Sequence, residues 1–207
     1  MKMIKYIITI VIIILVAYNS IYFRKLDEVK TSRAASEFNA ALYAQAFWNN
    51  KLITRLDKAV DLGQLVAMIS ADTAKTFETY SHALGIGNLR YFLVKGKGTI
   101  ISVNEDDITV LVDSIQSSVK IATEYIFGNA VRDATGLINI NEFNNTMDFN
   151  NVSAELNKII REKVLPPFKL KAKKGNRIIF TGAVELNKEH VDLSHIEVIP
   201  VSIVTDN

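Results

Sequence analysis

Residues 127–151, FGNAVRDATGLININEFNNTMDFNN, are dense in hydrogen-bonding side chains. Asn129, Arg132, Asp133, Glu142 and Asn144 offer amides, a guanidinium and carboxylates, the groups that grip a sugar or another small polar ligand. The same residues also have a structural use. Asn and Asp side chains bond to the backbone of their own loop, Gly128 and Gly136 take dihedrals closed to other residues, and an Arg–Asp pair satisfies a buried loop. Both readings stand at the level of sequence. Glu142 and Asp148 would supply the carboxylate pair of an envelope hydrolase acting on glycosides if the fold made them converge. Asp148 and neighbouring asparagine carbonyls are hard oxygen donors suited to calcium, but the spacing of an EF-hand loop is missing.

Other chemistry finds little support. The chain has no GxSxG elbow, no HExxH helix, no Walker loop and no dinucleotide glycine fingerprint, and KGKG at residues 95–98 is too short to cradle a phosphate. His82, His190 and His195 lie too far apart in sequence to form a local metal triad. Cysteine is absent, which excludes disulfides, thiolate sites and cysteine nucleophiles. No cofactor and no metal are expected, and binding is favoured over catalysis.

Charge narrows the partners. The net charge is +2, but Lys2, Lys5, Arg24, Lys25 and Lys30 face only Asp27 and Glu28 in the first 30 residues, leaving 19 basic against 20 acidic residues beyond. A near-neutral body lacks the positive footprint that neutralises phosphates, so no nucleic-acid partner is expected. The one basic cluster, Lys169, Lys171, Lys173, Lys174 and Arg177 with Phe168 beside it, reads as a solvated loop or as a surface attracted to anionic membrane.

The polar residues need a scaffold, and Leu89–Val103, LRYFLVKGKGTIISV, organises it as one long strand with Gly96 and Gly98 as bends. An acidic turn at 104–107 and a strand at 108–113 complete a hairpin. A third strand at 118–127 puts Val119, Ile121, Thr123, Tyr125 and Phe127 on the core face. A helix at 150–164 repeats Val152, Leu156, Ile159 and Ile160 at helical spacing and ends at Pro166 and Pro167. Strands at 177–186, bent at Gly182, and at 194–205, with Pro200 requiring an edge or a bulge, close the chain. Strand, strand, strand, helix, strand, strand is the order of an OB-fold; an open antiparallel sheet with the helix on one face is the runner-up.

Ahead of the strands, a helix from 33 to 60 aligns Phe38, Ala41, Leu42, Trp48, Leu52, Leu56 and Val60 on one arc, with Tyr43 and Phe47 opposite. Asp61 and Asp72 are caps for two more helices, the last stopping near Gly85 and Gly87. Residues 6–23 form an uncharged apolar run nearly long enough to span a bilayer; Lys2 and Lys5 precede it and no peptidase site follows, so the run predicts an uncleaved anchor.

FNAALYAQAFWNNKLI, AVDLGQLVAMI, YFLVKGKGTIISV and GNAVRDATGLININEF with MDFNNVSAELN resemble a bacterial family of predicted periplasmic lipoproteins of unknown function, from residue 26 onward. Members are typically lipidated on a cysteine just before an LDE-like segment, here Leu26, Asp27 and Glu28; this chain has Asn19 and Ser20 in that region. The resemblance therefore implies anchoring by the apolar run. It further implies, from gene neighbourhood, an association with sugar-uptake ABC transporter systems, and it carries over no catalytic residue. The expected molecule is α+β: residues 1–30 a transmembrane anchor and stem, 31–87 a helical segment packing on the barrel, and 88–207 an OB-like five-stranded antiparallel barrel with a helix between strands three and four. It is expected at the cell membrane, single-pass, with its C-terminal domain on the periplasmic side. Its expected partners are the membrane through residues 6–23 and either transporter components or a small polar ligand such as a sugar.

Overall fold

The computed structural model describes Met3, Tyr6, Ile10, Val11, Ile13, Val16 and Tyr18, and residues 38–206 except 116. Residues 1–38 and 39–207 are two separate units. In the first unit the seven described residues between 3 and 18 are helical and exposed. Among the described residues no helix is long and apolar enough to cross a membrane; most of the expected anchor at 6–23 lies outside them.

In the second unit Asn39 starts helix α1 (Ala40–Phe47): its backbone is extended and its side-chain oxygen accepts the Leu42 N–H at 3.0 Å. The chain then widens to a π turn at Trp48–Leu52 and tightens to a 3₁₀ turn over Ile53–Lys58. Each change of pitch rotates the buried face. Ala44, Phe47, Trp48 and Leu52 are buried, whereas Ala41 and Leu42 are exposed, which corrects the single stripe expected across 33–60. Val60–Asp61 forms a short strand, β1. Asp61 caps α2 (Leu62–Ala71) through the Gly63 and Gln64 N–H groups, and Asp72 caps α3 (Thr73–Tyr80) through that of Lys75. Phe77 of α3 meets Phe92 edge to face, ring centroids 5.0 Å apart.

Leu89–Val103 is a single strand, β2, followed by β3 (Asp107–Val112) and β4 (Ser117–Ala122). β2 pairs along eleven rungs with β5 (Arg177–Asn187), from Leu89↔Asn187 to Thr99↔Arg177, and pairs its later residues with β3. β5 then pairs with β6 (Glu197–Thr205), and β6 with β4, so β2-β3-β4-β6-β5 closes on itself. β1 adds in parallel to β2 at Val60↔Val94. The β4–β6 joint, Lys120↔Glu197 and Ile121↔Val198, is also parallel, a correction to an all-antiparallel barrel. An odd ring of strands cannot alternate direction all the way round, so one joint must be parallel.

Closure requires close approach. A Cβ on Gly96 would stand 2.6 Å from the Phe180 ring, and one on Gly98 or Gly182 would press on the carbonyls of Leu111 or Ile199. Pro200, which has no N–H, sits where the β5–β6 register slips between Thr181 and Gly182. The interior contains Val94, Ile100, Ile108, Val110, Val119, Ile121, Phe180, Val184 and Val198, capped by Leu62, Leu65, Ile69 and Phe77 from α2 and α3.

The third strand is shorter than predicted. After Ala122 the N–H groups of Thr123 and Glu124 both turn to the Asp106 carbonyl, which takes the chain off the ladder. Alternation is lost there: Ile126 is buried, while Tyr125 and Phe127 are exposed instead of lying in the core. A five-residue helix α4 (Ala130–Ala134) follows, then a 3₁₀ turn at Ile140–Glu142. Helix α5 (Thr146–Ile159) starts earlier than predicted because Asn145 accepts the Asp148 N–H. Nor do the prolines end the helical run. A π turn at Ile160–Val164 leads into α6 (Leu165–Lys169), where Pro166 and Pro167 occupy first-turn positions that need no N–H donor.

Candidate functional site

The five residues of α4 are all buried, including two charged neighbours: Arg132 is 3% exposed and Asp133 2%. Arg132 Nε donates to Asp133 Oδ1 at 2.6 Å and Nη2 to Oδ2 at 3.2 Å, while Nη1 reaches the Phe149 carbonyl at 3.4 Å. The guanidinium carbon lies 3.4 Å from the centroid of the Phe149 ring. Two charges this far from water persist only because the pairing is two-point and the aromatic face adds to it. The ring system continues outward. Phe149 meets Phe143 edge-on at 5.3 Å, Phe143 meets Tyr43 at 5.2 Å, and the Tyr43 hydroxyl donates to Glu142 Oε2 at 2.7 Å. Burial, and then that Glu142 bond, push the Tyr43 hydroxyl well above its ordinary range.

Over this base lies a cleft of about 400 Å³. The 83–89 segment makes one wall, held in place because His82 and Tyr91 exchange backbone hydrogen bonds at 2.8 and 2.9 Å. Asn129, Arg132, Asp133, Ile140, Thr146, Phe149 and Asn150 make the other, with Tyr91 between them. The Tyr91 phenol is pushed up to about 12, by burial first and then by the carboxylates of Glu185 and Asp133. It therefore stays a neutral hydroxyl at physiological pH. A smaller groove of about 240 Å³ adjoins the cleft, sharing Asn129 and Asn150. Its walls are tied down by Ser153 Oγ donating to Asn129 Oδ1, Asn157 Nδ2 to the Gly128 carbonyl, and Arg161 Nη1 to the Ile126 carbonyl.

Of the five residues expected to form a polar pocket, Asn129, Arg132 and Asp133 line the cleft together. Glu142 and Asn144 do not line it: both are exposed, and Glu142 is engaged with Tyr43. Sequence reasoning missed Asn88, Tyr91 and the whole 83–87 wall, which read as a helix stop. It also passed over Thr146, Phe149 and Asn150, which belong to the polar passage singled out and were within reach of the same reasoning.

Hydrolytic arrangements gain nothing from the geometry. Asp148 is committed to Asn145, accepting from its Nδ2 at 2.8 Å, and Glu142 to Tyr43. Asp192, Ser194 and His195 sit together on a loop, but Ser194 Oγ and Asp192 Oδ2 both address His195 Nδ1, at 2.9 and 2.8 Å. A serine relay needs the two partners on opposite ring nitrogens. Among the described residues no group of three or more His, Asp or Glu residues is placed to hold a metal ion.

No curated protein matches this chain. Among solved structures, it is similar to an OB-fold protein from Thermotoga maritima, with a TM-score of 0.73 and 26% identity, the match covering 83% of this chain and 100% of that one. Residues 11–204, which include the barrel, α4 and both walls of the cleft, match the model of the family described as predicted periplasmic lipoprotein, DUF2291, and the chain belongs to that family.

Proposed function

We propose that the chain is an extracytoplasmic accessory protein, held at the cell membrane by a single-pass anchor over residues 6–23, whose barrel binds a small polar ligand such as a sugar in the cleft beside α4. Family membership supports the extracytoplasmic, membrane-associated location. The uncharged run at 6–23, preceded by Lys2 and Lys5, and the helical, exposed side chains of Ile10, Val11, Ile13 and Val16 support the anchor. The observation that carries the ligand is the lining of the cleft. Asn88, Asn129, Asn150 and Thr146 bring amides and a hydroxyl to the same space as the Tyr91 and Phe149 side chains. Amides and hydroxyls satisfy the hydrogen-bonding edges of a sugar. Arg132 and Asp133, paired with each other, serve as a fixed floor and not as the gripping groups. The partner in this reading is a component of a sugar-uptake ABC transporter, the association that the family resemblance implies.

Thermal-shift measurements on the full chain in detergent, against mono- and disaccharides, test the ligand. Asn150 is exposed and lines both the cleft and its adjoining groove, so Asn150→Ala and the space-filling Asn150→Trp leave the core intact. A bound sugar at a hundredfold excess over its Kd stabilises by about 2.7 kcal/mol, and both variants should lose that gain. Absence of any shift, or a shift that survives Asn150→Trp, removes the sugar site. Alkaline carbonate extraction tests the anchor, which predicts retention in the membrane fraction.

A further inference from the structure

Tyr125 and Phe127 are 62% and 66% exposed, and their rings stack on each other with centroids 6.1 Å apart and 24° between planes. Ile126 between them is fully buried, and Arg161 holds its carbonyl at 2.6 Å, so the two rings are presented by a fixed segment. The last residue of α6 is tied to that segment. Lys169 Nζ bonds to Glu124 Oε2 at 2.7 Å and reaches the Thr123 carbonyl at 3.5 Å. The next residue, Leu170, is 86% exposed. Lys171, Lys173 and Lys174 are also exposed and make no ion pair among the described residues.

Large apolar side chains held in water beside unpaired ammonium groups match one kind of surface. Aromatic and aliphatic groups enter the headgroup region of a bilayer, while lysines reach along it to lipid phosphates. Lys169 is paired with Glu124, and the exposed Lys171, Lys173 and Lys174 leave the turn basic. We propose that Tyr125, Phe127 and Leu170, with Lys169, Lys171, Lys173 and Lys174, dock the barrel on an anionic phospholipid surface. This contact uses neither the lining of the cleft nor the anchor at 6–23, and Phe127 also borders the adjoining groove.

The chain has no cysteine, so a single probe site can be introduced cleanly. Full-length protein carrying Phe127→Cys or Leu170→Cys, labelled with the environment-sensitive dye NBD, is reconstituted into vesicles of phosphatidylcholine with or without phosphatidylglycerol. Both probes should shift to the blue and resist iodide quenching on phosphatidylglycerol vesicles only, whereas a probe at the exposed Glu78 should stay quenchable on both. High salt, or the triple change Lys171→Glu, Lys173→Glu and Lys174→Glu, should abolish the protection, since each lysine removed weakens such a contact about fivefold. Equal quenching at Phe127 in both lipids overturns the proposal. So does protection that ignores the lysines, or protection that appears only alongside energy transfer between labelled copies, the sign of a protein contact. All substituted positions are exposed, so circular dichroism should match the unmodified chain throughout.

Discussion

Replacing Arg132 by Met leaves the Asp133 carboxylate buried without its partner, and the structure sets the scale of the damage. Both side chains are 2% exposed, and two hydrogen bonds join them. Breaking a pair this far from water costs roughly 3–5 kcal/mol, and losing the guanidinium from the Phe149 face adds roughly 0.5–2 kcal/mol. Methionine refills part of the space, so about 4 kcal/mol is expected in total. With a urea m-value of about 2 kcal/mol/M, the unfolding midpoint should fall by about 2 M. Trp48 is the only tryptophan, is 7% exposed and belongs to the same unit as α4, so its fluorescence reports the transition. The double change Arg132→Met with Asp133→Leu should recover most of the loss, because it removes the orphaned charge along with its partner. A single substitution that costs under about 1 kcal/mol, or a double no more stable than the single, would refute the view that this pair is dry and mutually dependent.

Four further outcomes follow from the packing. Gly136 has φ +63°, and a Cβ there would stand 2.6 Å from the His82 ring, so Gly136→Ala should cost at least about 1–2 kcal/mol in urea unfolding. Gly85, with open space around its Cβ position, should accept alanine with a change within about 0.5 kcal/mol. Ile126→Ala should cost about 2–5 kcal/mol while Tyr125→Ser and Phe127→Ser stay near neutral; the reverse order would restore the core face expected from alternation. Burial holds the His82 imidazole below its ordinary value of 6.5. The unfolded chain then binds the proton more readily, so stability is full above about pH 6.5 and falls as pH drops from there through the lowered folded-state value. His82→Gln should flatten the stability profile in that window, and an unchanged slope would assign the loss to other groups.

Much of the barrel was legible because its causes are local. Alternating β-branched residues recover β2 and β3, the five-strand order and the intervening helix, and Asp61 and Asp72 cap the helices that their positions predict. Errors arose where a long-range contact changed the phase of a local pattern. Ile126 displaced Tyr125 and Phe127 from the core because the Asp106 carbonyl drew the backbone off the ladder, a bond between residues seventeen or more apart. Similarly, a π turn at Trp48 rotated the buried face of a helix that a constant 100° step treats as uniform.

The candidate site divides along the same line. Sequence by itself determined that the Asn-rich passage would carry the polar groups and that Arg132 and Asp133 would be neighbours able to pair, since adjacency and side-chain chemistry are written in the chain. Only the tertiary structure decided that Asn129, Arg132 and Asp133 share a cleft while Glu142 and Asn144 stay outside it. It also decided that the segment before β2 forms the opposite wall. Those outcomes depend on His82 pairing with Tyr91 and on Glu142 being taken by Tyr43, 99 residues away. No local periodicity encodes such pairings, because partners this far apart in the chain meet only once the barrel has closed and its helices have packed on it.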